Sequence, residues 1–181
     1  MNTRNMSLRA LVEGAVLVAV AQILSYLKLW QMPWGGSVTL MMVPLVLFAV
    51  RWGLKEGLIA SVAFGCLQFL FDGGFAIGWQ SILGDYVVAF GVLGLAGLFH
   101  GKKNGIYWGM LVAGIARFLV HFVVGATVWA EYMPETYFGM TMVSPWVYSA
   151  LYNGAYMLPN IIICTAALFL LRMTPLKRYM Q

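Results

Sequence analysis

Six apolar runs, each separated from the next by a few charged, glycine or proline residues, dominate this sequence. A water-soluble domain carries about 25% charged residues, which it needs to cover its surface. Here 62% of residues are hydrophobic and only 9% charged, so lipid is the solvent that fits. In lipid every backbone N–H and C=O must be paired within the protein, which leaves helices as the economical solution for runs of this kind. The expectation is one all-α integral membrane domain over residues 1–181. Its six helices fall near 8–28, 39–51, 54–71, 80–99, 105–127 and 145–172. A span needs about 20 residues, so the second run is short and the third only just sufficient. Residues 8–27 exceed the ~7–15-residue core of a secretory signal and no clear small-x-small cleavage site follows, so they read as a retained first helix.

The net charge of +5 does not form a nucleic-acid patch, because the basic residues sit in short clusters between apolar runs. They report orientation instead. With the N-terminus inside, nine of the 11 basic residues are cytoplasmic: Arg4, Arg9, Arg51, Lys55, Lys102, Lys103, Arg172, Lys177 and Arg178. Lys28 alone lies outside and Arg117 falls within the fifth run. Both termini are therefore expected in the cytoplasm of a multi-pass protein of the plasma membrane. The outer loops collect the acids Asp72, Glu131 and Glu135 together with Trp30, Trp34, Trp79, Trp129, Tyr132, Tyr137, Phe138 and Trp146. Most aromatics near helix ends are interfacial belt residues, although the outer side is the richer one. Cys66 and Cys164 each lie inside an apolar run and read as small apolar fillers rather than a disulfide or metal framework.

Asp85, Arg117 and His121 are the ionisable side chains that fall deep within spans. Each charged group at such depth costs roughly 2.5–3.5 kcal/mol on insertion scales, which makes it a functional candidate. Asp85 lies about 8 Å below the start of the fourth helix, and Arg117 and His121 about 15 and 9 Å below the outer end of the fifth. Arg117 and His121 share a face at i, i+4. The sixth helix adds Tyr148, Ser149, Tyr152, Asn153 and Tyr156 to the same half of the membrane. Two readings stand side by side: a pocket, or an Asp85–Arg117 ion pair holding two helices together. Asn153 is open in the same way, between ligand contact and interhelical glue. A carboxylate among aromatics suits a flat organic cation, and asparagine, histidine and tyrosine suit the rim of a nitrogen heterocycle. Arg117 suits a ligand that also carries an acceptor.

At these residues the sequence resembles the thiamine-specific substrate-binding subunits of energy-coupling factor transporters, over essentially its whole length. The resemblance runs through Pro33-Trp34-Gly35-Gly36-Ser37-Val38-Thr39 to Pro44, then Arg51-Trp52-Gly53-Leu54-Lys55-Glu56-Gly57 and Asp85-Tyr86-Val87-Val88-Ala89-Phe90. It continues through Arg117-Phe118-Leu119-Val120-His121-Phe122 and Tyr148-Ser149-Ala150-Leu151-Tyr152-Asn153-Gly154. It implies six helices with thiamine held near the outer surface. It implies Asp85 as partner of the thiazolium cation with Tyr86 beside it, and His121, Tyr148 and Asn153 gripping the rings. Trp129 would stack on the ligand, and Arg117 stands where the family has a basic residue. Trp34, Phe64 and Phe75 match positions of aromatic contact, the last two replacing tryptophan and tyrosine of some relatives.

The resemblance also implies a high-affinity binding subunit rather than an enzyme, without a cofactor or resident metal. Gly97-Leu98-Phe99-His100-Gly101-Lys102 has the wrong spacing for a phosphate loop, and Lys103 replaces the Ser/Thr that a magnesium ion would need. ATP would be used by partners: a membrane coupling subunit and two cytoplasmic ATPases, with this chain monomeric in isolation. Ala15 and Ala19 form a small-xxx-small pair that allows close backbone approach. The resemblance assigns it to docking on the coupling subunit, where composition alone favours packing within the chain. A proton-coupled secondary transporter using Asp85 and His121 as a relay is the alternative.

Overall fold

The computed structural model describes residues 8–33, 35–71, 75–175 and 177. Trp34, as well as Arg4, Asp72 and Arg178, lies outside the described residues. Six helices are present: α1 Leu8–Tyr26, α2 Met42–Trp52, α3 Leu54–Phe71, α4 Trp79–Phe99, α5 Gly105–Thr127 and α6 Pro145–Arg172. Five of them are long and apolar enough to cross a membrane. Their outward faces carry Leu11, Val16, Ile59, Leu70, Leu83, Leu119, Leu158 and Phe169, all exposed on the protein surface. In water such a surface would drive aggregation; against acyl chains it costs nothing.

α2 is the exception. At 11 residues it reaches about 16 Å, half the hydrocarbon thickness. It survives because the other five helices all pack against it. Met42, Leu45, Val46, Phe48 and Ala49 are each no more than 1% exposed. The expected start at residue 39 is corrected to Met42. Thr39 is held by α6 instead, its N–H donating to Asn160 Oδ1 (2.9 Å) and its carbonyl accepting from Cys164 Sγ (3.4 Å).

The chain runs up α1, down α2, up α3, down α4, up α5 and down α6. The ends of α1, α3 and α5 and the starts of α4 and α6 therefore gather at one end of the bundle. Two antiparallel hairpins cover that end: β1 Trp30–Gln31 with β2 Ser37–Val38, and β3 Thr136–Tyr137 with β4 Met140–Thr141. Neither was expected from sequence. The first also shortens α1, which stops at Tyr26 rather than 28 because Leu29 N–H already bonds Val38 O at 2.9 Å. At the opposite end an Arg51–Glu13 ion pair (2.7 Å) joins α2 to α1. Arg172 Nη1 donates to Asn104 Oδ1 (2.9 Å), tying α6 to the α4–α5 turn.

Small residues set how closely the helices approach. A side chain on Gly94 would lie 2.5 Å from Leu58 Cα, so the α3 and α4 backbones touch there. A Cβ on Gly84 would lie 2.5 Å from Val124, which draws the upper part of α4 onto α5. α4 is not regular: Ile82–Val88 is wound as a π-helix and Val92–Phe99 as a 3₁₀-helix. π turns are rare and occur frequently at functional sites. Here the wide turn carries Asp85.

Candidate functional site

A cavity of about 180 Å³ opens at the hairpin-covered end, between α1, α3, α4, α5 and α6. An engineered apolar cavity of ~150 Å³ admits benzene, so this is a chamber for a small organic molecule. Asp85, Tyr86, Arg117, His121, Trp129, Tyr148, Asn153 and Phe75 all line it. Eight residues singled out from sequence, on α4, α5, α6 and the loops beside them, thus face one space. Phe64 does not. It is fully buried in the core, edge-on to Phe90 at 5.2 Å, and is separated from the cavity by that ring.

The centre of the site is the Asp85 carboxylate. Its Oδ1 is 2.9 Å from His121 Nδ1, and its Oδ2 accepts from Trp129 Nε1 at 2.8 Å. Because an ionised carboxylate only accepts, Nδ1 carries the ring proton. In the neutral ring Nε2 is then an acceptor, and it is buried with no partner among the described residues. Asp85 keeps about a fifth of its side chain exposed. Two N–H groups thus aim one charge while leaving its outer lone pairs available.

The expected alternative of an Asp85–Arg117 ion pair is not what forms: among the described residues Asp85 pairs with His121. Arg117 lies deeper, 4% exposed, with its guanidinium 4.4 Å over the ring of Phe90. Its Nε and Nη1 have no hydrogen-bond partner among the described residues.

Aromatic rings form the remaining walls. Phe75 stacks on Trp129 with centroids 5.5 Å apart and planes 16° from parallel, and Tyr132 meets Trp129 edge-on. Tyr86 OH donates to Phe75 O (3.0 Å), so Tyr86 fixes that ledge. On α6, Tyr148, Tyr152 and Tyr156 form a ladder with centroid spacings of 5.7 and 6.1 Å.

Asn153 lines the cavity and is also glue between helices. Its Nδ2 reaches Ser149 O and Oγ (3.0 Å each) and His121 O (3.3 Å), while its Oδ1 accepts from Tyr156 OH (2.8 Å). The two readings of this amide are therefore not exclusive. A Cβ on Gly125 would lie 3.1 Å from Asn153 Nδ2, so the glycine allows α5 and α6 to make these bonds.

Sequence reasoning missed the wall contributed by α1 and α3. Gln68 Nε2 donates to Gln22 Oε1 and Ser25 Oγ, both at 2.9 Å, and Gln22 Nε2 to Tyr26 OH at 3.0 Å. It also missed Asn160. Asn160 Nδ2 donates to Ser37 O (2.7 Å) and Tyr156 O (2.9 Å), joining the first hairpin to α6. Gly36 of that hairpin lies flat on Tyr156, where a Cβ would sit 2.5 Å from the ring. The signal was present, since Gln22, Gln68 and Asn160 are amides within apolar runs and such groups need partners in lipid.

Comparison with known proteins places this geometry. Residues 11–180 match the family described as "Thiamine transporter protein (Thia_YuaJ)". The chain is 34% identical to the thiamine transporter ThiT of Bacillus subtilis (strain 168), over 91% of this chain and 90% of that one. It is 26% identical to ThiT of Lacticaseibacillus paracasei, over 80% and 77% of the two chains. The solved structure of ThiT from Listeria monocytogenes has the same fold, with a TM-score of 0.83 at 24% identity over 97% of this chain and 99% of that one. A multi-pass membrane protein with no enzymatic role, this chain belongs to the thiamine transporter family.

Proposed function

We propose that this protein captures thiamine from outside the cell in the cavity around Asp85 and presents it for ATP-driven uptake. The observation that carries the reading is the Asp85 carboxylate, braced by His121 and Trp129 at the wall of an aromatic chamber. Thiamine joins a thiazolium cation to an aminopyrimidine. The carboxylate supplies the counter-charge, and Phe75, Trp129 and the α6 tyrosines supply faces for both rings. His121 Nε2 supplies an acceptor for the exocyclic amine. The positive-inside distribution supports an outward-facing cavity with both termini in the cytoplasm.

Titrating the purified protein with thiamine while following tryptophan emission tests the reading, with riboflavin and biotin as controls. Saturable quenching by thiamine alone, with a dissociation constant below about 1 µM, is expected. A folded sample that does not respond to thiamine would end this assignment.

Energy comes from partners in this reading: a membrane coupling subunit and two cytoplasmic ATPases. Ala15 and Ala19 are exposed on α1, on the side turned away from its buried stripe of Ala10, Gly14, Val18 and Ala21. Small side chains there let another helix approach closely. Leucine at both positions is expected to leave thiamine binding by the isolated protein unchanged while cutting cellular uptake on the order of tenfold or more. Unimpaired uptake would remove α1 from the docking surface. The contact between Asp85 and His121 also suits a proton relay. Uptake that persists without ATP and collapses with the proton gradient would favour that second reading.

A further inference from the structure

Among the described residues the Arg117 guanidinium forms no ion pair, and the charge of Asp85 reaches it only without direct contact. It is 4% exposed, and two of its three nitrogens, Nε and Nη1, are buried without an acceptor. Its Cζ lies 4.4 Å from the centroid of the Phe90 ring, a cation–π contact that uses none of the N–H bonds of Nε and Nη1. Both oxygens of Asp85, the carboxylate of this cavity, are engaged by His121 and Trp129. The ion pairs formed by the described residues are Arg51–Glu13 and His121–Asp85, and neither includes Arg117.

The arithmetic of charge then matters. Asp85 and Arg117 sum to zero, with Lys28 at the mouth of the cavity. A permanently cationic ligand raises the inner charge to +1 in a place where water screens it poorly. A buried, unpaired cation is among the most costly arrangements a protein can hold. A neutral water would satisfy an N–H bond but not this charge.

We propose that Arg117 holds a small monovalent anion at the deep end of the cavity, and that the anion binds together with the cationic ligand. The site is a guanidinium edge floored by Phe90, and it lies deeper than His121 on the same helix face. Its ligand class is a compact inorganic anion, for which chloride is the probe. The identity of the cation as thiamine rests on the function proposed above; the anion site itself does not.

Thiamine binding is measured in a series that replaces chloride by gluconate at constant ionic strength, gluconate being too large for the site. One anion taken up per cation makes the affinity fall by up to tenfold for each tenfold dilution of chloride. A loss of roughly 3- to 10-fold between 100 and 10 mM chloride is expected. Arg117→Lys is expected to keep this dependence and Arg117→Gln to lose it. Thiamine affinity that stays within about twofold across the series would overturn the proposal and make the vitamin itself the acceptor for Arg117. Chloride-35 line broadening on the purified protein, without thiamine, gives a second measurement. Broadening present in the wild type and absent in Arg117→Gln would support the site even if thiamine failed to bind. Its absence in both, with thiamine binding indifferent to chloride, would refute it.

Discussion

Replacing Asp85 by asparagine is expected to weaken thiamine binding by about 3 kcal/mol, on the order of 100-fold, with little change in thermal stability. The substitution is nearly isosteric, so packing is retained. Asparagine keeps an oxygen for one of the two N–H donors, His121 Nδ1 or Trp129 Nε1, and turns an amide toward the other. What disappears is the negative charge facing a cation inside a chamber of low polarity. Truncating one partner of a desolvated charge pair typically costs 2–5 kcal/mol or more. Calorimetric titration gives the affinity and a melting curve reports the fold. Wild-type affinity in Asp85→Asn would show that ring stacking, not charge, holds the vitamin.

The second large effect belongs to Asn160, which does not itself line the cavity. Asn160→Leu is close in volume but removes three hydrogen bonds at a fully buried site. It leaves Thr39 N–H and Ser37 C=O without partners. Each such group costs about 1–3 kcal/mol when buried. A total loss of about 3 kcal/mol corresponds to roughly 6–12 °C in melting temperature for a chain of this size. The hairpin carrying Gly36 would also lose its tie to α6, so thiamine should dissociate faster. Stopped-flow release measurements check this. A melting temperature within about 2 °C of wild type would mean that the hairpin is held by its own pairing and by Tyr156.

The sequence made parts of this molecule legible for definite reasons. α3, α5 and α6 coincide with long, mainly apolar runs, and their observed limits match those expected from the turn residues and charges around them. Asp85, Arg117 and His121 stood out because ionisable groups are expensive in lipid. Their pairing did not follow. Placing three groups at similar depth leaves two acceptable partners for one carboxylate, and Trp129, beyond the helix end, took the second oxygen. The hairpins were hidden because two-residue strands have no period to detect. Phe64 was misplaced for a different reason: matching a residue type to a family position says nothing of which way its ring turns, and here it turns into the core.

The brevity of α2 bears on how the molecule is made. As the chain leaves the ribosome, residues 42–52 are too few to be accepted by the insertion machinery as a span of their own. They enter with α3, from which only Gly53, at φ 98°, divides them. The sheath that makes such a stub tolerable is completed by α6, the last of these six helices to be synthesised. That helix also brings Tyr148, Ser149, Asn153 and Tyr156 to the cavity and Asn160 to the hairpin. The binding chamber is therefore a late product of biosynthesis. A nascent chain arrested before residue 145 is an incomplete bundle that lacks one wall of the cavity and one of the five helices packed around α2.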